Sequence, residues 1–103
     1  MALTENGPVK SVIEYRVRPG HEDEFEKWTR AVIDAASRSA GLEGSSVLTS
    51  SRPGDYFLLL RFASAADLER WGASAENERL RKEAERSGIW TTEIADDFVF
   101  AIT

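Results

Sequence analysis

From Val9 to Arg18 the chain alternates between two faces. Val9, Ser11, Ile13, Tyr15 and Val17 point one way, and Lys10, Val12, Glu14, Arg16 and Arg18 the other. A period of two rich in β-branched residues predicts a half-buried strand, which Pro19-Gly20 ends because proline cannot donate to a ladder. The period then changes. Between Glu22 and about Ser39, Phe25, Trp28, Val32 and Ala35/Ala36 recur every three or four residues and predict a helix with one apolar stripe. Glu22, Asp23 and Glu24 occupy its first turn, where the helix dipole favours negative charge, and Gly41 supplies a left-handed stop.

A weaker strand follows from Glu43 to Ser50, centred on Val47 and Leu48. In Ser51-Arg-Pro-Gly-Asp55 the proline presets the second turn position and the glycine supplies a positive φ at the third, the signature of a type II turn. Tyr56 to Ala63 is the most apolar strand and so belongs at the centre of the sheet. Ser64-Ala-Ala-Asp67 has the form of a capping box and opens a helix carrying Leu68 and Trp71. A break at Gly72 to Ser74 leads to a second helical piece running to about Arg86. Ser87-Gly88 closes it, and Thr91 to Ile102 is a last strand. The order β-α-β-β-α-β predicts an α+β, ferredoxin-like domain with an antiparallel-rich four-stranded sheet and its helices on one face.

Length and composition narrow the picture further. The chain has 103 residues, enough for one core, with Met1 to Pro8 read as a frayed, flexible lead-in and residues 9–103 as the domain. The lead-in lacks the basic and apolar segments of a signal peptide, no apolar run approaches a membrane span, and cytoplasm is the expected compartment. A formal net charge of −5, with both signs mixed, argues against nucleic acid, which demands a basic stripe. There is no cysteine, so disulfides and thiolate chemistry are excluded. His21 is the single histidine and reads as an exposed helix-start residue; neither it nor the carboxylates show metal-ligand spacing, so no metal and no cofactor are expected.

The sheet face turned away from the helices is the informative one. It should carry Val12, Glu14, Arg16, Phe57, Leu59 and Arg61, with either Glu93, Asp97 and Val99 or their alternating neighbours from the last strand. Apolar side chains interleaved with charges suit the lining of a ligand cavity, which two sheets placed face to face would enclose. A homodimer follows as the expected assembly. Val12, Phe57 and Leu59, with Trp71 at the mouth, become candidate ligand-binding residues; Arg16, Glu14 and Arg61 are the candidate catalytic ones. A buried guanidinium needs a partner, so Glu14 should pair with one of the arginines. Trp28 is expected in the core, and Trp90 at a dimer contact or in a lid. The Glu76–Arg86 run reads as a solvated, charge-laced helix face without a function.

The runs Arg18-Pro-Gly-His-Glu-Asp-Glu-Phe-Glu-Lys-Trp28, Gly41-Leu-Glu-Gly44, Tyr56-Phe-Leu-Leu-Leu-Arg-Phe62 and Ala66-Asp-Leu-Glu-Arg-Trp-Gly-Ala-Ser74 resemble, in order and spacing, the antibiotic biosynthesis monooxygenase domain family over roughly Val9 to Ala84. The resemblance implies a ferredoxin-like domain that pairs as a dimeric α/β barrel. It also implies an enzyme that oxidises an aromatic, phenol-like molecule with dioxygen, using neither metal nor flavin. A non-catalytic dimeric module binding a small aromatic ligand is the alternative. A haem-degrading branch of the family uses a strand asparagine, a tryptophan and a histidine. Trp71 matches the tryptophan, but Arg81 stands in the histidine's place and Ile13 or Glu14 in the asparagine's, so haem degradation is disfavoured.

Overall fold

The computed structural model describes residues 7–100, with backbone alone for Thr92 and for 94–100. Most of the expected lead-in, residues 1–6, and the expected end of the last strand, 101–102, lie outside the described residues, as does Thr103. The elements run β1 (Val9–Val17), α1 (Glu22–Ser37), β2 (Leu42–Thr49), β3 (Asp55–Phe62), α2 (Ala65–Gly72), α3 (Ala75–Ser87) and β4 (Trp90–Phe100). They form the expected ferredoxin-like α+β architecture: a four-stranded sheet of order β2-β3-β1-β4, in which every neighbouring pair is antiparallel.

Local chemistry explains the boundaries. The β2–β3 turn is closed by the Asp55 N–H donating to the Arg52 carbonyl at 3.2 Å, with Gly54 at φ +88° as the type II geometry requires. Ser64 caps α2 by accepting from the Asp67 N–H at 3.2 Å, and its hydroxyl donates to the Asp67 carboxylate at 3.0 Å. The box is therefore closed through the serine hydroxyl. Ser74 caps α3 in turn, accepting from the Asn77 N–H at 3.1 Å. Gly88 ends α3 in the left-handed region at φ +64°. Gly41 does not itself end α1, whose cap is Arg38; it stands later, at φ +92°, where the chain turns into β2.

The alternation read along β1 decides the layers. Val9, Ser11, Tyr15 and Val17 are buried beneath the helices together with Leu58, Leu60 and Phe62 of β3, where Val9 stands opposite Phe62 and Ser11 opposite Leu60 in the antiparallel ladder. Phe25, Trp28, Val32, Ala35 and Ala36 of α1 cover them, and Leu68, Trp71, Leu80 and Ala84 of the other two helices complete the core. Each large side chain so buried contributes on the order of 1.5–3 kcal/mol. Rings dominate one end of the core. Tyr15 lies 5.3 Å from Phe25, 5.6 Å from Trp28 and 4.7 Å from Trp90 between centroids, and Trp28 lies 4.8 Å from Trp90. Trp90, half-buried, thus packs against the core cluster, because as the first residue of β4 it pairs with Val17 and is drawn onto the helix-covered face.

Gly41 gives a test of this packing. It combines a positive φ with a close approach of the Asp67 carboxylate to the place a Cβ would fill. Gly41→Ala should therefore destabilise the domain by about 1–3 kcal/mol from backbone strain alone, read as a lower urea midpoint with an unchanged slope.

Candidate functional site

A cavity of about 350 Å³ lies between the helices and the sheet, on the covered face. Its floor is Ser11, Ile13 and Tyr15 of β1 with Leu58 and Leu60 of β3; Trp28 and Val32 of α1 form one wall. Leu68, Glu69, Trp71 and Gly72 of α2, Asn77 and Arg81 of α3, and Glu93 of β4 form the rest. The space exists because the second helical region is broken. Gly72 ends α2 after eight residues, and Ser74 restarts the chain as α3 in a new direction. The Ser74 hydroxyl donates to the Trp71 carbonyl at 2.7 Å and the Asn77 amide to the Gly72 carbonyl at 3.0 Å, so the break is held by its own side chains.

A shallower groove on the outer side of the helices shares Gly72, Asn77 and Arg81 with the cavity. These three residues therefore form its rim. At the rim Arg81 donates from Nη2 to Glu93 Oε1 at 3.2 Å, joining α3 to β4. Glu93 stands directly opposite Tyr15 in the β1–β4 ladder, which places it on the helix-covered face. Its side chain is 17% exposed, whereas that of Arg81 is 51% exposed. On the deeper wall the Trp28 indole N–H donates to the Leu80 carbonyl at 2.8 Å, which ties α1 to α3 one residue before Arg81. The site is thus a mostly apolar, ring-walled chamber with an ion pair at its entrance, suited to a planar ligand with a polar substituent.

The sequence-predicted site residues divide between two faces. Trp71 is buried and lines the chamber. Val12, Phe57 and Leu59 are half-buried on the open face, across the sheet from it, so the four expected ligand contacts do not share one site. Glu14, Arg16 and Arg61 also lie on the open face, but Glu14 pairs with neither arginine. Arg16 pairs with Asp55, its direct partner in the ladder, at 3.3 Å, and Arg61 pairs with Glu43 at 3.5 Å. Register is the reason. Glu14 stands opposite Phe57, four positions along β3 from Arg61, about 13 Å at strand rise. Asp55 is itself buried and also takes Arg52 at 3.5 Å, so this cluster braces the β2–β3 turn.

Glu93 lines the covered-face chamber, contrary to the first of the two facings expected for β4; the side chains of Asp97 and Val99 lie outside the described residues. Arg81 was read as part of a solvated helix face; it is half exposed, and it also lines the chamber at its rim. The rest of that run behaves as expected, with exposed pairs such as Arg79–Glu76 at 3.0 Å and Lys82–Glu78 at 3.2 Å. His21 pairs with Glu24 at 2.8 Å at the start of α1, away from the chamber. Asn77 and Arg81 had one signal in the sequence, their four-residue spacing after the Gly72–Ser74 break, which sets both on one side of α3. Among the described residues no three His, Cys, Asp or Glu side chains gather as metal ligands, and no helix is long and apolar enough to cross a membrane. Outside the chamber's lining, burial and then the Glu22, Glu26 and Asp23 carboxylates push the Tyr56 phenol above its ordinary value.

Trp28→Phe tests the wall. It removes the hydrogen bond to Leu80 and leaves a void, and should cost about 2 kcal/mol in urea unfolding.

The family model for "Antibiotic biosynthesis monooxygenase" matches residues 8–83. A comparison with curated proteins found no match. Among solved structures, the cofactor-independent oxygenase SnoaB of Streptomyces nogalater superposes with a TM-score of 0.80 at 15% identity, over 93% of this chain and 95% of that one. Rv0793 of Mycobacterium tuberculosis gives 0.79 at 16% identity, over 94% and 98%. PA3566 of Pseudomonas aeruginosa gives 0.78 at 16% identity, over 98% and 100%. At these identities the structural likeness speaks for the fold.

Proposed function

The chain belongs to the antibiotic biosynthesis monooxygenase family, and on that footing we propose that it is a cofactor-independent monooxygenase that oxidises an aromatic, phenol-like molecule in the chamber beneath Trp71. The observation that carries this reading is the chamber itself: about 350 Å³, within the rough 300–1,000 Å³ range of small-molecule sites, walled by Trp28, Trp71 and Tyr15, with the Arg81–Glu93 ion pair at the rim. Such a cavity holds a fused-ring substrate dry and in one orientation, and positioning is a large part of what a protein adds to chemistry that the substrate can begin itself.

The reaction balances without a reductant. A phenolic ring system with an activated methylene loses a proton to become an electron-rich anion, which passes one electron to dioxygen. Recombination forms the carbon–oxygen bond of a hydroperoxide. The peroxide takes back a proton, and loss of the remaining C–H proton together with hydroxide, as one water, leaves a carbonyl, so one oxygen atom enters the product and the other leaves as water. The protein's part is to exclude bulk water and to place hydrogen-bonding groups near the developing charge.

We further propose that the working unit is a homodimer closed through the open sheet face. Val12, Phe57 and Leu59 are half-buried there, and Leu48, opposite Phe57 in the β2–β3 ladder, is 50% exposed. An apolar stripe in the middle of a sheet is what a second copy would cover. On this reading the residues first taken for a ligand lining form the subunit contact.

Two measurements test these readings. With 1,8-dihydroxyanthrone and a chelator present, oxygen uptake should proceed with one dioxygen consumed per molecule oxidised, and Trp71→Ala should slow it about tenfold or more through lost positioning. Ring binding without any oxygen uptake would end the monooxygenase reading in favour of a binding module. In light scattering the native mass should be that of a dimer across a tenfold concentration range, and Leu59→Lys should shift it to a monomer; a wild-type monomer would end the dimer.

A further inference from the structure

We propose that Glu93 is the residue that reads a hydroxyl group on the aromatic ligand, and that Arg81 is a positioning residue that holds Glu93 ready to do so; this rests on the aromatic-chamber reading above. Glu93 is a carboxylate set into a wall of rings and aliphatic side chains, only 17% exposed. Among the described residues its one polar partner is Arg81, through a single Nη2–Oε1 bond of 3.2 Å. An ionised carboxylate offers about four acceptor sites, so most of its capacity is left for a donor arriving in the chamber.

The surroundings say which donor. Arg81 balances the charge of Glu93, while Glu69 adds a second carboxylate to the lining. A ligand arriving with a neutral hydroxyl would meet an acceptor, and the proton lost in the proposed reaction comes from the methylene, a separate position on the ring. Position agrees with charge, since Glu93 stands opposite Tyr15 at the edge of the ring-walled floor. A planar ligand lying on that floor would bring a substituent at its rim to the carboxylate. Arg81, half exposed, anchored to α3 and itself at the rim of the chamber, fixes the carboxylate's direction. A site of this kind discriminates strongly against the analogue that lacks the donor, because the acceptor is then left unpaired.

The test compares 2-naphthol with 2-methylnaphthalene, close in shape but differing in the donor, by equilibrium dialysis against the full chain. The wild type should prefer the naphthol. In Glu93→Leu the ratio of the two affinities should fall about tenfold, with binding of the methyl compound retained. Glu93→Gln, which keeps the shape, should give an intermediate ratio and stands in if the leucine variant does not fold. Arg81→Met should lower the ratio several-fold and Arg81→Lys should restore it, whereas loss of a merely stabilising clip would lower stability and leave the ratio unchanged. A ratio within about twofold of wild type in both Glu93 variants would overturn the role of Glu93 while leaving the chamber standing. If neither compound bound the wild type, the aromatic-chamber reading would fall and this inference with it.

Discussion

The hydrogen bond from the Trp28 indole to the Leu80 carbonyl is the joint on which the rest of the architecture turns. Trp28 packs against Tyr15 and Trp90, and so is seated on β1 and β4 at once. Through its N–H it also sets the height of α3. Leu80 is buried beside that joint, and the next residue, Arg81, is thereby brought to the rim of the chamber. A tryptophan suits the post because its ring fills a large apolar space while its single donor needs one defined acceptor. Sheet, first helix and third helix are located relative to one another by one side chain.

The break between α2 and α3 has the opposite effect, since it keeps the layer from closing. A single uninterrupted helix would lie flat on the sheet and fill the space over Ile13 and Leu58. With Ser74 recapping the chain after Gly72, Trp71 faces inward and Asn77 and Arg81 stand at the edge. The open face of the sheet is shaped differently. Its two arginines are matched at close range, Arg16 with Asp55 and Arg61 with Glu43, and Val12 and Leu59 lie side by side in the ladder. One face therefore carries the cavity, and the other leaves Val12, Phe57 and Leu59 half-buried without helices over them.

Most of the fold was legible in the chain because its signals are local. The period-two run from Val9, the apolar spacing from Phe25 to Ala36, Pro53-Gly54 in the turn and Ser64 and Ser74 before the helices each act within a few residues. The facing of β1 and β3 was legible for the same reason, since alternation along a strand survives whatever packs against it. Trp90 and Glu93 were harder. They sit at the start of β4, whose pairing with β1 carries irregularities next to Lys10 and Arg16, and their facing follows from that register.

The candidate site was the least legible part. Trp71 was visible as a tryptophan before a helix break, but its companions come from five other elements, and Arg81 looked like one more member of a charged run. The chain alone determined where the elements begin and end, which residues of each strand share a face, and that one sheet face would lack helices, because these depend on side-chain periodicity and turn chemistry. Tertiary structure alone decided that the cavity lies under the helices, that Arg16 pairs with Asp55 and that Arg81 meets Glu93. Those outcomes depend on the angle at which α3 crosses the sheet and on the register of β4. Both are set by contacts between residues far apart in the chain, such as Trp28 with Leu80, which leave no mark in the local pattern.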